Sequence, residues 1–323
     1  MAGVLVFGDT VGGKLAPASL EMAVAGAALA QALNEPLIGA LSGDGLEAAA
    51  AEFAGGFTML HLLEGKHLRP YTARSAIAAA RAAIDACKPS VVLFAHTLET
   101  REWVPRLAAM LDTGLVMDCT ALAAENGDLV VSKPVYGGGV MAQCVVRGAP
   151  RLATVRTGVF EGRAGAAAGT VNRIAVGEPA AGRVTLLDEH KVRAEGGVRL
   201  KDAKIIVSGG RGLGGPDNWH YIEEAAASIG GAVGCSRPVA DSGWVSSAHQ
   251  VGLSGTSVKP DLYIAVGISG AVQHLAGISN SSTVVAINVD GDADMFTRAN
   301  FGVIGDYREV LPGFVARARQ LRG

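Results

Sequence analysis

Five short polar and glycine-rich turns carry most of the side chains in this sequence that could bind a ligand. Each follows an apolar run directly, so each lies where a buried strand would end. Glycine lets the backbone approach a phosphate closely, and the first turn of a helix presents unpaired N–H groups with partial positive charge. The turns are Ser208-Gly209-Gly210-Arg211-Gly212, Cys235-Ser236-Arg237, Gln250-Val251-Gly252-Leu253-Ser254-Gly255, Gly267-Ile268-Ser269-Gly270-Ala271-Val272-Gln273-His274 and Ala286-Ile287-Asn288, with Asp306 after a last apolar run. This series predicts a binding site for a long dinucleotide.

Side chains in these turns have the chemistry that a dinucleotide requires. Arg211 is a forked cation suited to a pyrophosphate. Asn288 and Asp306 each follow a late apolar run, where an amide or carboxylate suits ribose hydroxyls or adenine edges. Taken alone, each turn has an ordinary structural explanation, because lone glycine turns and solvated arginines are common. Five turns in register are far more specific.

Patterns for other kinds of chemistry are missing or weak. The sequence has no Gly-x-Ser-x-Gly motif for a nucleophilic serine and no His-Glu-x-x-His pattern for a metal. Asp290, Asp292 and Asp294 alternate along the chain but lack the glycine and terminal glutamate of a calcium loop, so we expect a solvated turn there. We therefore expect neither a catalytic residue nor a metal site.

Length and composition favour two domains of the α/β class. The 323 residues exceed what one ordinary core contains. Hydrophobic residues make up 49%, with 44 glycines and only 5% aromatic residues, which is typical of small-residue helices packed on buried strands. The formal net charge of -2 offers no concentrated basic face, so we expect no nucleic-acid partner.

The amino terminus of the sequence favours a cytoplasmic location, and the cysteines favour reduced, buried thiols. The four cysteines form no Cys-x-x-Cys pair, so we expect reduced thiols and neither a zinc site nor a redox dithiol. The first predicted strand, 4–7, begins almost at Met1, where a signal peptide would need a charged and an apolar segment. No run of about 18 apolar residues is present, so we expect no membrane insertion.

The first half of the sequence alternates strand-like and helix-like segments, which predicts a parallel sheet with crossover helices. The predicted segments are 4–7, 19–33, 37–41, 45–53, 74–87 and 90–95. Three further apolar runs, 129–131, 141–146 and 151–155, lie close together without a helical pattern between them. They predict an added antiparallel portion.

A second unit of the same kind begins near residue 200. Residues 158–195 are rich in Gly, Ala, Glu and Arg, so we place a domain boundary near 197. The segments predicted after it are strand 204–207, helix 219–229, strand 232–235 and strand 283–287. The predicted fold class is α/β with two doubly wound domains, 1–197 and 198–323, the second being a Rossmann-like parallel-sheet domain.

In their order and context, the five turns resemble those of the alpha subunit of electron transfer flavoprotein, whose carboxy-terminal domain holds FAD. The resemblance is close over 200–320 and strongest over thirteen residues, 262–274. Upstream it is looser but continues in Arg106-Leu107-Ala108-Ala109 and Lys133-Pro134-Val135-Tyr136-Gly137-Gly138. It implies an FAD-binding second domain and a first domain that packs against a beta subunit. His96 and Glu99, near a predicted strand end, are then expected in a loop of that partner-facing domain.

The resemblance also implies which residues contact FAD. Arg237 is expected near the isoalloxazine ring, the Ser254 hydroxyl at flavin N5 and His274 at flavin O2, where they would set the reduction potential. The other cofactor contacts that it implies are Gly210, Arg211, Gly212, Ser236, Gln250, Val251, Gly252, Leu253, Gly255, Gly267, Ser269, Gly270, Ala271, Val272, Gln273, Asn288, Asp306 and Tyr307.

Three positions depart from the family pattern. Ser254 takes a threonine position, Leu253 replaces a side chain that could hydrogen-bond, and Tyr307 stands where an aliphatic residue is more usual. Serine keeps the hydroxyl, whereas leucine removes a polar contact and changes the local dielectric. Tyr307 could alter packing on adenine. The Leu253 departure bears on the reduction potential and the choice of partner rather than on FAD binding.

The resemblance implies an electron carrier rather than an enzyme. Such a carrier accepts electrons from flavin dehydrogenases of the acyl-CoA type, as in fatty acid oxidation, and passes them to a quinone oxidoreductase or another acceptor. Its beta subunit holds AMP or, in electron-bifurcating members that work with NADH, a second FAD. Two alternatives stay open: a flavin or thiamine-diphosphate oxidoreductase that shares the nucleotide-binding fold, and a nucleotide sensor or scaffold that binds AMP alone.

Overall fold

The computed structural model describes residues 3–138, 140–163, 169–179, 184, 186–188, 200–278 and 281–322. The chain divides into two compact units, Met1–Leu187 and Asp188–Gly323. The domain boundary predicted near residue 197 lies outside the described residues. Within the described ranges, no helix combines the length and the apolar character needed to span a bilayer.

The first unit alternates strands with helices over most of its length. Its strands are β1 (Val4–Gly8), β2 (Thr10–Val11), β3 (Lys14–Leu15), β4 (Leu37–Gly43), β5 (Met59–Glu64), β6 (Val91–His96), β7 (Leu115–Cys119), β8 (Ala121–Glu125), β9 (Asp128–Val135), β10 (Val140–Val146), β11 (Arg151–Arg156) and β12 (Thr170–Ala175). Its helices are α1 (Pro17–Leu33), α2 (Glu47–Phe53), α3 (Ala73–Cys87) and α4 (Leu98–Met110). All six segments predicted within 4–95 are confirmed, and the structure adds β5 between two of the helices.

Among the described residues, seven strands form one parallel sheet in the order β12-β5-β4-β1-β6-β11-β7. Successive side chains of a strand point to opposite faces, so β1 contributes Val4 and Val6 to one apolar layer and Leu5 and Phe7 to the other. Burial on both faces is what crossover helices impose on a parallel sheet. The predicted α/β class is thus confirmed for this unit.

The strands β8, β9 and β10 form a separate antiparallel sheet, which confirms the antiparallel prediction for 129–131 and 141–146. The same prediction for 151–155 is wrong, because β11 runs parallel to β6 and β7 inside the large sheet. Leu152, Ala153 and Val155 are fully buried, as in an inner parallel strand. Antiparallel strands rather than a helix connect β7 to β11, so the local pattern contains no crossover helix that would indicate the parallel pairing.

The second unit is also doubly wound. Its strands are β13 (Ile205–Gly209), β14 (Ala232–Cys235), β15 (Leu262–Val266), β16 (Thr283–Asn288) and β17 (Phe301–Ile304). Its helices are α5 (His220–Ile229), α6 (Arg237–Asp241), α7 (Val272–Gly277), α8 (Met295–Arg298) and α9 (Tyr307–Arg322). The strands and the helix predicted for 204–287 are confirmed.

The strand order of this second sheet is β14-β13-β15-β16-β17, and every neighbouring pair is parallel. From β13 the chain first moves to β14 on one side and then returns to β15 on the other. The order therefore reverses between β13 and β15. In open parallel sheets, ligands bind at the carboxyl edge beside such a reversal.

Candidate functional site

The predicted turns lie together at the carboxyl edge of the second sheet. Three of them extend beyond the ends of β13, β14 and β15, whereas the predicted turn 286–288 is the last part of β16 itself. Parallel strands all end at one edge. The turn 250–255 is joined to this edge because the Val251 amide donates to the Cys235 carbonyl over 2.9 Å. The tertiary structure thus brings all five turns to one side of the domain.

Glycine is required where the turns after β13 and β15 touch. A Cβ atom on Gly210 would lie 2.1 Å from the carbonyl oxygen of Gly267, and one on Gly212 would lie 2.8 Å from the same oxygen. Gly267 itself has φ of +60°, in the left-handed region. The two turns can therefore pack backbone to backbone only without side chains. Arg211, between the two glycines, is exposed.

The turn after β14 places one buried and one exposed polar side chain side by side. Ser236 immediately precedes α6 and is 6% exposed, and its Oγ makes no hydrogen bond within the described residues. Arg237 begins α6, is 66% exposed, and pairs through Nε with Asp241 over 3.2 Å. A buried hydroxyl without a partner is costly. Ser236 is therefore a polar group that a ligand could satisfy.

The turn 250–255 is held against α7. Leu253 donates its amide to the Gln273 carbonyl over 3.0 Å, while its side chain is 49% exposed. The Gln250 amide donates from Nε2 to Ser254 Oγ over 2.9 Å. Because Ser254 accepts in this bond, its own O–H proton is left to donate elsewhere. Gly252 has φ of +144°, which fits its close approach to α7.

The turn after β15 leads into α7 and presents an open backbone. Ser269 is exposed, and its carbonyl accepts from the Met295 amide over 3.1 Å. Gly270 has φ of +90°, and a Cβ there would lie 2.2 Å from the Met295 nitrogen. The residues that follow, Ala271, Val272 and Gln273, are all exposed.

His274 is buried beside a tyrosine instead of open to solvent. It is 6% exposed, and its Nε2 lies 2.9 Å from Oη of Tyr263. Its Nδ1 is buried without a hydrogen bond of regular geometry to a described residue. Burial lowers the pKa of His274 to about 4, and the nearby Val251 backbone opposes this shift only in part. The imidazole is therefore neutral at pH 7, with Nδ1 as the nitrogen left for a ligand.

The side chains predicted to contact the adenosine end already have protein partners. Asn288 donates from Nδ2 to the Ile268 carbonyl over 3.1 Å and accepts the Asp290 amide at its Oδ1 over 3.1 Å. Asp306 accepts from Nε of Arg308 over 3.0 Å and from its guanidinium NH2 over 2.6 Å. These hydrogen bonds lower the pKa of the Asp306 carboxyl. Asp306 thus presents an ion pair to this edge of the sheet.

A cavity of about 270 Å³ opens at this edge beside Tyr307. Tyr307 is 7% exposed, and its hydroxyl donates to the Leu213 carbonyl over 2.8 Å. It therefore packs mainly in the core of the unit. The residues that line the cavity are Gly212, Leu213, Gly214, Asn218, Gly267, Ile287, Asn288, Val289, Gly305, Asp306, Tyr307 and Arg308.

Several lining residues lie outside the set that the sequence predicted. Leu213, Gly214 and Asn218 continue the first glycine turn, and Arg308 lies two positions after Asp306. The run of glycines through position 215 was the signal that the first turn is longer than predicted. Arg308 had no such signal, because its role depends on pairing with Asp306. Asp290, Asp292 and Asp294 form an exposed turn beyond β16, as predicted.

The polar residues predicted in a loop of the first unit lie in regular elements instead. His96 is the last residue of β6, and Glu99 is in the first turn of α4, so the loop prediction is wrong. Thr97 caps this helix by accepting the Thr100 amide, a capping box formed by two threonines. Pro105 inside α4 hides the helical pattern in the sequence.

The sequence matches two family descriptions that together cover most of the chain. "Electron transfer flavoprotein domain" matches residues 4–179, and "Electron transfer flavoprotein FAD-binding domain" matches residues 199–279. Relatives that carry the name electron transfer flavoprotein subunit alpha align over nearly the whole length. The chain belongs to the electron transfer flavoprotein alpha-subunit family. The family description places its FAD-binding domain over the turns after β13, β14 and β15.

Individual relatives of this family are similar over most of their length. The electron transfer flavoprotein subunit alpha of Thermoanaerobacterium thermosaccharolyticum is 37% identical, covering 99% of this chain and 98% of the relative. That of Bacillus subtilis is 35% identical over 98% of each. The lactate dehydrogenase (NAD(+),ferredoxin) subunit LctC of Acetobacterium woodii is 35% identical over 96% of this chain and 75% of its own length.

A solved structure, described as a putative thiamin diphosphate-dependent enzyme from Mycobacterium smegmatis, aligns with 97% of this chain and 59% of its own. The TM-score is 0.25 and the identity 13%, values too low to support any conclusion about fold or function.

Proposed function

We propose that this alpha-subunit family member holds one FAD in residues 198–323 and works as a heterodimer with an electron transfer flavoprotein beta subunit. Residues 1–197 form the domain that packs against that subunit. The heterodimer carries electrons and changes no substrate bond. A second nucleotide, AMP or another FAD, resides in the beta subunit. A cytoplasmic location stays a prediction.

The observation that carries this proposal is a set of unsatisfied and closely packed groups at one sheet edge. Ser236 Oγ and His274 Nδ1 are buried without hydrogen bonds of regular geometry to described residues. Gly210 and Gly267 leave bare backbone between them, where a side chain would collide. The unsatisfied hydroxyl and imidazole nitrogen each cost stability unless a ligand uses them, whereas the glycine contact only fixes the backbone beside them. A dinucleotide along this edge would satisfy the hydroxyl and the imidazole together, so the residues present fit FAD.

Binding contacts divide between the two ends of the cofactor. Exposed Arg211 and the backbone after Ser269 suit the pyrophosphate, since a guanidinium and free N–H groups both bind phosphate oxygens. The cavity beside Asn288 and Tyr307 suits the adenosine end. The carboxylate oxygens of Asp306 accept from Arg308 and can each accept a further hydrogen bond, so they would accept one from a ribose hydroxyl.

Three side chains would set the reduction potential. FAD supplies the redox chemistry when bound, and the protein tunes it through hydrogen bonds and nearby charge. Arg237 brings a positive charge that Asp241 partly offsets. Ser254 has a free O–H proton, because its oxygen accepts from Gln250. His274 is a neutral donor, because burial lowers its pKa to about 4.

The partners are proposed by analogy with the family. We propose flavin dehydrogenases acting on acyl-CoA thioesters as donors and a quinone oxidoreductase, or another acceptor, as the recipient. An electron-bifurcating role with NADH is the second candidate, favoured by the 35% identity to a subunit whose name includes both NAD(+) and ferredoxin. The two candidates differ in whether the beta subunit contains FAD.

The test is to co-express the full-length chain with the product of its neighbouring gene, purify the complex and record its visible spectrum. We expect a yellow heterodimer whose flavin takes up electrons from dithionite one at a time. One FAD per heterodimer supports the simple carrier, whereas two support the bifurcating role. A colourless complex that contains AMP alone, or one that oxidises a small substrate without a partner dehydrogenase, would overturn the proposal.

A further inference from the structure

Tyr263 and His274 form a buried pair next to the proposed flavin site. Tyr263 lies on β15 and is completely buried, and its Oη is 2.9 Å from His274 Nε2. The two side chains come from different elements, since His274 lies in the first turn of α7. The pair therefore joins the strand to the helix that the candidate site uses.

The proton of the imidazole can occupy two positions in this pair. Burial lowers the pKa of His274 to about 4, so the ring is neutral near pH 7 and one nitrogen carries a proton. In the first arrangement Tyr263 donates to Nε2, and Nδ1 carries the proton. In the second, Nε2 carries the proton and donates to Tyr263, which leaves Nδ1 bare.

Hydrogen-bond accounting favours the first arrangement. Within the described residues, His274 Nε2 is the group in hydrogen-bonding geometry with Tyr263 Oη. If Nε2 donated, the O–H proton of Tyr263 would be buried without a regular acceptor. Ser208, on the neighbouring strand β13, makes no hydrogen bond of regular geometry to a described residue, so it does not serve as a regular acceptor for that proton. The O–H of Tyr263 is therefore directed to His274 Nε2.

The Nδ1 atom of His274 is buried and makes no hydrogen bond of regular geometry to a described residue, so no protein group competes for a proton there. A proton on Nδ1 is also the form that can donate to a bound cofactor.

We propose that Tyr263 is a positioning residue: by donating to Nε2 it keeps the proton of His274 on Nδ1, from which the ring donates to the flavin. The inference rests on the proposed function for its last step, although the tautomer itself does not depend on FAD. Tyr263 touches no cofactor in this scheme and acts through His274.

The experiment is nitrogen-15 NMR of the full-length chain in its heterodimer, with labelled histidine, before and after Tyr263→Phe. The His274 signals are assigned by their loss in His274→Gln. In the wild-type protein we expect Nδ1 to resonate as a protonated and Nε2 as an unprotonated ring nitrogen. In Tyr263→Phe we expect these shifts to move toward those of a mixed or reversed tautomer.

A second readout is the flavin reduction potential of the same variant. Tyr263→Phe removes one oxygen from a buried ring of unchanged shape, so we expect stoichiometric FAD with a lowered potential. The matched control is Tyr221→Phe in the same unit, whose ring packs edge-on against Tyr307 at 5.5 Å between centroids. The control should leave both the His274 shifts and the potential unchanged.

The outcomes separate the inference from the proposed function. A proton on Nε2 of His274 in the wild-type protein would overturn the inference, whether or not FAD is bound. Unchanged His274 shifts in a folded Tyr263→Phe protein would overturn it as well. A heterodimer without FAD but with the proton on Nδ1 would refute the carrier function and leave the tautomer established.

Discussion

The amide of Gly210 donates to the carbonyl of Val266 over 2.8 Å, so the turn after β13 is bonded to the end of β15. The Gly212 amide donates to the Gly267 carbonyl over 3.0 Å, which is a second hydrogen bond between the same two turns. These bonds span the point where the strand order reverses. The two turns consequently form one rigid backbone surface, and the predictions below concern the groups along it.

Gly210→Ala should damage the site by steric overlap. Its Cβ would lie 2.1 Å from a backbone oxygen that cannot move without shifting the Gly267 turn. We expect a loss of about 1–3 kcal/mol in the free energy of unfolding, together with weaker FAD retention. Chemical denaturation and the ratio of flavin to protein absorbance measure the two effects.

Gly215→Ala is the matched control for that substitution. Gly215 follows in the same loop, has an extended backbone with φ of 173°, and has open space around its Cβ position. We expect its effect on stability to be within about 0.5 kcal/mol. Equal losses in both variants would mean that loop entropy, rather than the contact with Gly267, explains the first result.

Ser236→Ala should weaken FAD binding without weakening the fold. The Ser236 Oγ is buried and has no hydrogen bond to a described residue, so the substitution removes an unsatisfied group from the FAD-free protein. A hydrogen bond to the cofactor is worth about 0.5–1.5 kcal/mol, which corresponds to roughly a 2- to 10-fold increase in Kd. Titration of the FAD-free heterodimer with FAD measures the change. Ser242→Ala, at an exposed position at the end of α6, should leave Kd unaltered; reduced stability with normal binding in Ser236→Ala would indicate a structural role.

His274 should make stability depend on pH in a defined window. Its pKa falls from 6.5 to about 4 on folding, so the unfolded chain binds the proton more readily. Stability from this group is complete above about pH 6.5 and is lost as the pH falls toward 4, by about 2 kcal/mol between pH 7 and pH 5. His274→Gln should remove that part of the dependence. Denaturation at both pH values tests this, and parallel pH profiles for the two proteins would contradict it.

Arg237→Ala should lower the flavin potential while most of the FAD stays bound. The guanidinium is 66% exposed, so its effect on charge added to the flavin is about 1 kcal/mol. Asp241→Asn should act in the opposite direction, because it removes the carboxylate that pairs with Arg237. Spectroscopic redox titration of both variants provides the comparison. Complete loss of FAD from Arg237→Ala would show that this residue binds the cofactor rather than tunes it.

The strands and helices that the sequence predicted correctly are those whose apolar pattern and flanking turn residues lie within a few positions of each other. The strands β1, β4, β6, β13 and β14 are short apolar runs bounded by turn residues, and α1, α3 and α5 are long helices. The helix α4 was missed because Pro105 interrupts its pattern, although two threonines cap its first turn. The direction of β11 was predicted wrongly because strand pairing is decided by distant residues.

The amino-acid sequence alone determined the order of the glycine turns, the α/β class and the family, since each depends on residue types at fixed spacing. It could not determine that His274 is buried on Tyr263 or that Asp306 pairs with Arg308, because these contacts depend on packing and side-chain orientation. Nor could it show that Ser236 lacks a hydrogen bond to the described residues. Burial and protonation depend on what surrounds a group in space, and only the tertiary structure supplies those surroundings.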